Sequence, residues 1–125
     1  MKKYIVAVIG SRDWSDKKTV NTFLDNNKSK ISRIVSGGAN GPDSYGEKWA
    51  NKNKIETSIH YPPKNRKRPF HYRNRLIAEE CEILVAFQLG KSSGTQYTID
   101  YAKSLGKKVI VFHNSKQIIG VDLED

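Results

Sequence analysis

Five short strand-like segments, four of them apolar runs, each broken off by a turn and separated by helical patterns, constrain the fold more than any other feature of this chain. They are Tyr4 to Ile9, Ile31 to Val35, Glu56 to His60, Ile83 to Phe87 and Val109 to Phe112. A continuous β-branched run of this length reads as a strand buried on both faces, and Glu56 to His60 is the weakest of the set. Between the runs the period changes to that of a helix. Ser15 or Asp16 stands as N-cap before Val20, Phe23 and Leu24, and Tyr45, Trp49 and Ala50 mark a second helix. Pro69 suits the first turn of a third, with Phe70, Leu76 and Ile77 on its apolar side. A fourth helix runs from Thr95 to Leu105, and Gly106 closes it where a left-handed residue is wanted. Strands alternating with helices of this size call for right-handed crossovers and a mainly parallel sheet covered on both faces. The expected fold is α/β, a Rossmann-like sheet of five strands in the order 3-2-1-4-5. One domain is expected over residues 1–125, with a core at 4–112 and a tail at 113–125 in which Ile118 to Val121 offers an edge strand.

Charge and cysteine usage narrow the partners. Lys and Arg exceed Asp and Glu, 22 against 13, for a net charge of +9, which favours anionic ligands. No apolar run approaches the roughly 18 residues of a membrane span, and Lys2 and Lys3 precede an apolar stretch too short for a signal peptide. Cys81 is the sole cysteine, so an internal disulfide and a cysteine-based zinc site are both excluded, consistent with a cytoplasmic protein. His60, His71 and His113 lack metal-ligand spacing, and neither a metal nor a cofactor is expected.

In an open doubly wound sheet, ligands bind outside the C-terminal ends of the strands. Three small-residue turns fall there. Gly10-Ser11-Arg12-Asp13 follows the first strand, Gly37-Gly38-Ala39-Asn40-Gly41 the second, and Gly90-Lys91-Ser92-Ser93-Gly94-Thr95 the fourth. Glycine admits close backbone approach, and a helix beginning directly after such a turn directs free N–H groups at an anion. None of the turns is a dinucleotide fingerprint or a Walker loop, which argues against NAD binding and ATP hydrolysis. Arg12 reads either as a bidentate phosphate clamp or as a surface ion pair with Asp13 or Asp16. Asp43 reads as a ribose ligand or a cap of the second helix. Thr95 reads as a phosphate ligand or an ordinary helix-start threonine. Lys64, Arg66, Lys67, Arg68, Arg73 and Arg75, interleaved with Phe70, His71 and Tyr72, form a basic segment. Such a segment suits nucleic acid or a solvated face, and its arginines at a helix start oppose the helix dipole unless an anion compensates.

Val8-Ile9-Gly10-Ser11-Arg12-Asp13-Trp14, Ser36 to Asp43 with Glu47 to Ala50, Arg73-Asn74-Arg75, and Ala86-Phe87 leading to Gly94-Thr95 together resemble the YspA-type branch of the SLOG superfamily. The resemblance covers roughly residues 4–112. It implies a Rossmann-like module that binds nucleotides or nucleotide-derived ligands, in a superfamily that includes the LOG phosphoribohydrolases and the DNA-processing protein of natural transformation. It also implies a homodimer or larger homo-oligomer. In the LOG loop, Pro-Gly-Gly-x-Gly-Thr-x-x-Glu, the glutamate serves hydrolysis; Thr98 stands in that place here. A hydroxyl cannot act as that carboxylate does, so no catalytic residue is assigned. Arg73-Asn74-Arg75 corresponds to the LOG Arg-Lys pair.

The expected function is binding of a phosphorylated, nucleotide-like small molecule. Its expected site is Gly10, Ser11, Arg12, Gly37, Gly38, Asp43, Arg73, Asn74, Gly90, Ser93, Gly94 and Thr95. One alternative is a nucleosidase or phosphoribohydrolase in which Asp43, Glu47 or Glu79 replaces the missing glutamate. The other is single-stranded nucleic-acid binding through the basic helix, expected to be weak.

Overall fold

The computed structural model describes residues 2–114 and 122–124. The chain runs β1 (Tyr4–Gly10), α1 (Lys17–Asn26), β2 (Ile31–Ser36), α2 (Pro42–Lys52), β3 (Glu56–Ile59), α3 (Pro69–Glu80), β4 (Ile83–Gln88), α4 (Ser93–Ser104) and β5 (Lys108–His113), with a short 3-10 turn at Lys28–Lys30. The sheet has the order β3-β2-β1-β4-β5, and its pairings are parallel. Central β1 is read on both sides, Val6 pairing with Ile34 of β2 and with Ile83 of β4. The expected α/β, Rossmann-like fold and strand order are those observed.

Strand periodicity divides the core in two. Val6 and Val8 of β1 and Val85 and Phe87 of β4 pack with Val20, Phe23 and Leu24 of α1 and with Trp49 and Ala50 of α2. Ala7 and Ile9, one residue out of phase, turn to the other face with Leu84 and Ala86, where Ile77 and Ala78 of α3 and Ile99 and Ala102 of α4 cover them. The first layer holds an aromatic file: Trp14, Phe87, Phe112 and Phe23 meet in sequence at centroid distances of 5.5, 5.0 and 5.3 Å. Trp14 is buried and its indole N–H donates to the Asp16 carbonyl at 3.0 Å, so the loop after β1 is nailed to the core at its far end. Leu123 is also buried, its N–H donating to Asn27 Oδ1 at 3.1 Å. The edge strand expected at Ile118 to Val121 lies outside the described residues.

Two local readings change. Phe70, expected on the apolar side of α3, is 50% exposed, whereas Ile77 and Ala78 further along the helix are buried. The α4 helix starts at Ser93, two residues before the expected Thr95. Among the described residues, no helix is long and apolar enough to cross a membrane.

Asp16 is the N-cap of α1: its carboxylate accepts from Thr19 N–H at 3.1 Å and from the Thr19 hydroxyl at 2.5 Å. Replacing such a cap removes the acceptor of a first-turn donor. Asp16→Ala is expected to lower unfolding free energy by about 1 kcal/mol, measured by urea denaturation, with the denaturant dependence unchanged.

Candidate functional site

The strand order reverses between β1 and β4, and the loops leaving these neighbours diverge to opposite faces of the sheet. A crevice opens where they part. Ser11 bridges its mouth, its N–H donating to the Phe87 carbonyl at 3.0 Å and its hydroxyl accepting from Leu89 N–H at 2.9 Å. The resulting cleft has a volume of about 630 Å³ and is lined by the β1 loop from Gly10 to Asp13, by Ala39 and Asp43, by the first turns of α3, and by the segment from Lys91 to Thr95.

Among the residues expected from sequence, Gly10, Ser11, Arg12, Asp43, Arg73, Asn74, Ser93, Gly94 and Thr95 line this cleft. Gly37, Gly38 and Gly90 do not. Gly38 has a φ of +71° and lies under the Tyr61 ring, while Gly90 has a φ of +52° and donates its N–H to Asn114 Oδ1 at 3.1 Å. Gly37 reaches the cleft at one remove. Its N–H donates to Asp43 Oδ2 at 2.8 Å, and its carbonyl accepts a short hydrogen bond from Arg73 Nη1. A Cβ on Gly37 would stand 2.4 Å from Arg73 Nη1, so only glycine lets the guanidinium lie against this turn.

The glycines of the cleft differ in kind. A Cβ on Gly10 would stand 2.3 Å from the Phe87 carbonyl oxygen and 2.5 Å from Pro42 Cγ, so packing between β1, β4 and α2 already requires glycine there. A Cβ on Gly94 would meet nothing nearer than Asn74 Nδ2 at 4.0 Å. The chain's own packing makes no such demand at Gly94, whose missing side chain leaves the start of α4 open to the cleft.

Arg73 is 7% exposed, and its Nε has no hydrogen-bond partner. Burial lowers its pKa, the field of Asp43 opposes that shift, and Arg12 adds to it. Asp43 is buried likewise, and desolvation lifts its carboxyl to about 6, against the opposing pull of the Gly37 N–H, Arg73 and the Ala39 N–H. Asp43 lies in the first turn of α2, but Gly41 is the cap residue, so the carboxylate serves the β2 turn instead. Arg12 is exposed and stands over the Phe70 ring at 5.7 Å, with Arg73 at 5.6 Å from the same centroid. Two cations thus flank one half-exposed ring at the cleft. Asp16, offered as an ion-pair partner of Arg12, is engaged in capping α1.

Thr95 Oγ1 accepts from the Ser92 hydroxyl at 3.1 Å. The Thr98 hydroxyl donates back to the Gly94 carbonyl at 2.9 Å, although Thr98 also lines the cleft. Of the three carboxylates weighed for hydrolysis, Asp43 alone lines it. Glu47 accepts from the Ser36 hydroxyl, and Glu79 from the Tyr101 hydroxyl at 2.7 Å. Sequence reasoning missed Phe70 as a cleft residue; its place between Arg68 and Arg73 in the basic segment was the available signal.

A five-stranded parallel sheet with its cleft at the β1/β4 reversal and glycine turns at strand ends defines the class as a Rossmann-like α/β domain. The chain belongs to the YspA, cpYpsA-related SLOG family, which matches residues 4–67. Residues 47–120 also match the family of DNA recombination-mediator protein A. The Gene 61 protein of Mycobacterium phage D29 is 30% identical over 118 residues, covering 86% of this chain and 94% of that protein. The X-ray structure of DNA processing protein A (DprA) from Streptococcus pneumoniae superposes with a TM-score of 0.77 and 25% identity over 98% of this chain. That match takes in 54% of the pneumococcal chain, so the present protein spans about half of its length. DNA processing protein A from Helicobacter pylori, described for its single-stranded DNA binding mode, gives a TM-score of 0.75 at 22% identity, covering 95% of this chain and 68% of its own.

The Asp43 carboxyl is raised on folding from 3.8 to about 6. The native state therefore holds a proton that the unfolded state releases, and the associated stability is full below about pH 4 and lost as pH rises through about 6. Asp43→Asn removes this proton. The stability difference, wild type minus variant, is expected to fall between about pH 4 and pH 6 and to stay level above, read from urea unfolding at a series of pH values.

Proposed function

We propose that this protein binds single-stranded nucleic acid, with one phosphate of the strand held in the cleft between Arg12 and Arg73 and an adjoining base against Phe70. The observation that carries this reading is Arg73, a buried guanidinium whose Nε lacks a partner. A buried unsatisfied donor on a charged group is costly, and a phosphate oxygen is the acceptor that suits it. Phe70 supplies a half-exposed stacking face, and stacking on an aromatic tolerates any base. The net charge of +9 and the basic segment beginning at Lys64 supply the electrostatic attraction such a strand requires. The family match to DNA recombination-mediator protein A and the likeness to DprA structures support the same reading.

A second reading, a free phosphorylated nucleotide as ligand, is favoured by one feature. The cleft volume of about 630 Å³ falls within the range of small-molecule pockets. Both readings place a phosphate on Arg12 and Arg73, and they part over what extends beyond it.

Fluorescence anisotropy with labelled oligothymidylate, competed by thymidine 5′-monophosphate, separates them. The oligonucleotide is expected to bind much more tightly, with a log-log salt slope near −0.7 for each phosphate contacted. Arg12→Ala is expected to cost roughly 1.5 to 3 kcal/mol of binding, the range for hydrogen bonds to charged groups, with the thermal transition unchanged. A mononucleotide that binds as tightly as the oligonucleotide, with a shallow salt slope, would replace the strand reading with the free-nucleotide one.

A further inference from the structure

We propose that Tyr72, with Arg66 and Arg75 held around its ring, forms a second nucleotide subsite outside the cleft, receiving the phosphate and base of the strand beyond the nucleotide in the cleft. The inference rests on the single-strand reading above. The Arg66 guanidinium carbon lies 3.8 Å from the Tyr72 ring centroid, and that of Arg75 lies 5.9 Å from it. Arg75 is braced in turn: its Nη1 donates to the Tyr97 hydroxyl at 3.1 Å, and the Tyr97 ring stacks on His71 at 4.2 Å with an interplanar angle of 11°. Two guanidinium groups are thereby held around one aromatic surface, braced by the loop before α3 and by both helices α3 and α4.

Neither guanidinium is drawn into an ion pair among the described residues, although Glu79, one turn along α3, adds a favourable field at Arg75. By contrast, Arg33 of β2 contacts Glu56 at 2.7 Å and Glu80 at 3.2 Å, and Lys30 contacts Asp122 and Glu124 at 2.7 and 3.0 Å. Among the described residues, no carboxylate lies within ion-pair distance of Arg66 or Arg75. Holding like charges together with no carboxylate in direct contact is unfavourable, and a polyanion relieves it. Arg66 is exposed, so its cation remains accessible from solvent.

The path from the cleft follows from helix geometry. Tyr72 and Arg75 each lie two positions after a cleft residue, Phe70 and Arg73, and so project from nearly the opposite side of α3. A strand reaching both must cross the helix N-terminus. That crossing is prepared: α3 begins with Pro69, has no side-chain cap, and has no acidic residue in its first turn, leaving backbone N–H groups for phosphate oxygens. Arg68, just before it, adopts a left-handed conformation at φ 52°, disfavoured for a side chain of its type, and so turns the basic loop into the helix.

The proposal predicts a length threshold. Binding is measured by anisotropy for thymidine 5′-monophosphate and for oligothymidylates from the dinucleotide to the dodecanucleotide, at fixed salt. Arg66→Ala and Tyr72→Ala are each expected to weaken the longer oligonucleotides about tenfold, in line with alanine substitution at a stacked base, while leaving the mononucleotide unchanged. Arg66→Ala should also reduce the salt slope by about 0.7. Arg66→Lys, which keeps charge and loses the planar stack, should fall between wild type and alanine. Arg12→Ala serves as the cleft control and should weaken every length. Equal loss at every length in Arg66→Ala, or no loss at any, overturns the second subsite, as does a lysine variant that binds like wild type. If Arg12→Ala binds normally while Arg66→Ala does not, the cleft reading fails and the subsite stands.

Discussion

The site depends on burying one guanidinium at the C-terminal end of β2. Taking a cation out of water costs several kcal/mol unless its surroundings compensate. Arg73 is compensated by the Gly37 carbonyl, by the field of Asp43 and by the face of Phe70. The peptide flanking Gly37 works in both directions, its N–H held by Asp43 of α2 and the residue's carbonyl held by Arg73 of α3. These two helices cover opposite faces of the sheet. The turn after β2 thus ties the two layers together at the edge where the cleft opens, and the tie requires that Gly37 carry no side chain. The cleft glycines do different work: Gly10 is fixed by packing and Gly94 leaves room.

The same arrangement explains why Asp43 is an acid with a raised pKa in a protein of strong positive charge. Burial dominates, and the Gly37 N–H, the neighbouring Arg73 and the Ala39 N–H recover only part of the loss. The cleft retains positive character because Arg12, the exposed member of the group, is not drawn into that balance by any ion pair among the described residues.

Most of the fold was legible because its signals are local. A β-branched run that stops at glycine marks a strand end without reference to the rest of the chain, and alternation with helices leaves few topologies. Depth was less legible than position. Periodicity put Phe70 on the apolar side of α3, yet its ring lines the cleft under Arg12 and Arg73 instead of entering the core. The β2 turn had the composition of an anion cradle, but Gly37 and Gly38 are occupied by Arg73 and Tyr61, contacts made across 36 and 23 positions of sequence. Asp43 was read as ribose ligand or cap because either role is local, whereas its observed partner is the turn preceding its helix. The identity of Arg73 as a cleft residue was legible; its burial, which gives it its force, was not.

Burial and exposure divide the labour among the arginines. Arg73 has already lost its side-chain freedom and most of its hydration, so under the proposed reading a phosphate in the cleft would pay little further ordering cost at this side chain. Arg66 and Lys64, on an exposed segment, attract a polyanion at long range and are screened by salt within a Debye length of roughly 8 Å at physiological ionic strength. Attraction by the second group and orientation by the first are separable, because one depends on ionic strength and the other on shape. Neither reads a base. The rings of Phe70 and Tyr72 offer π-faces rather than directed donors or acceptors, so under the proposed single-strand reading the surface would hold a backbone with its bases stacked and leave their sequence unread.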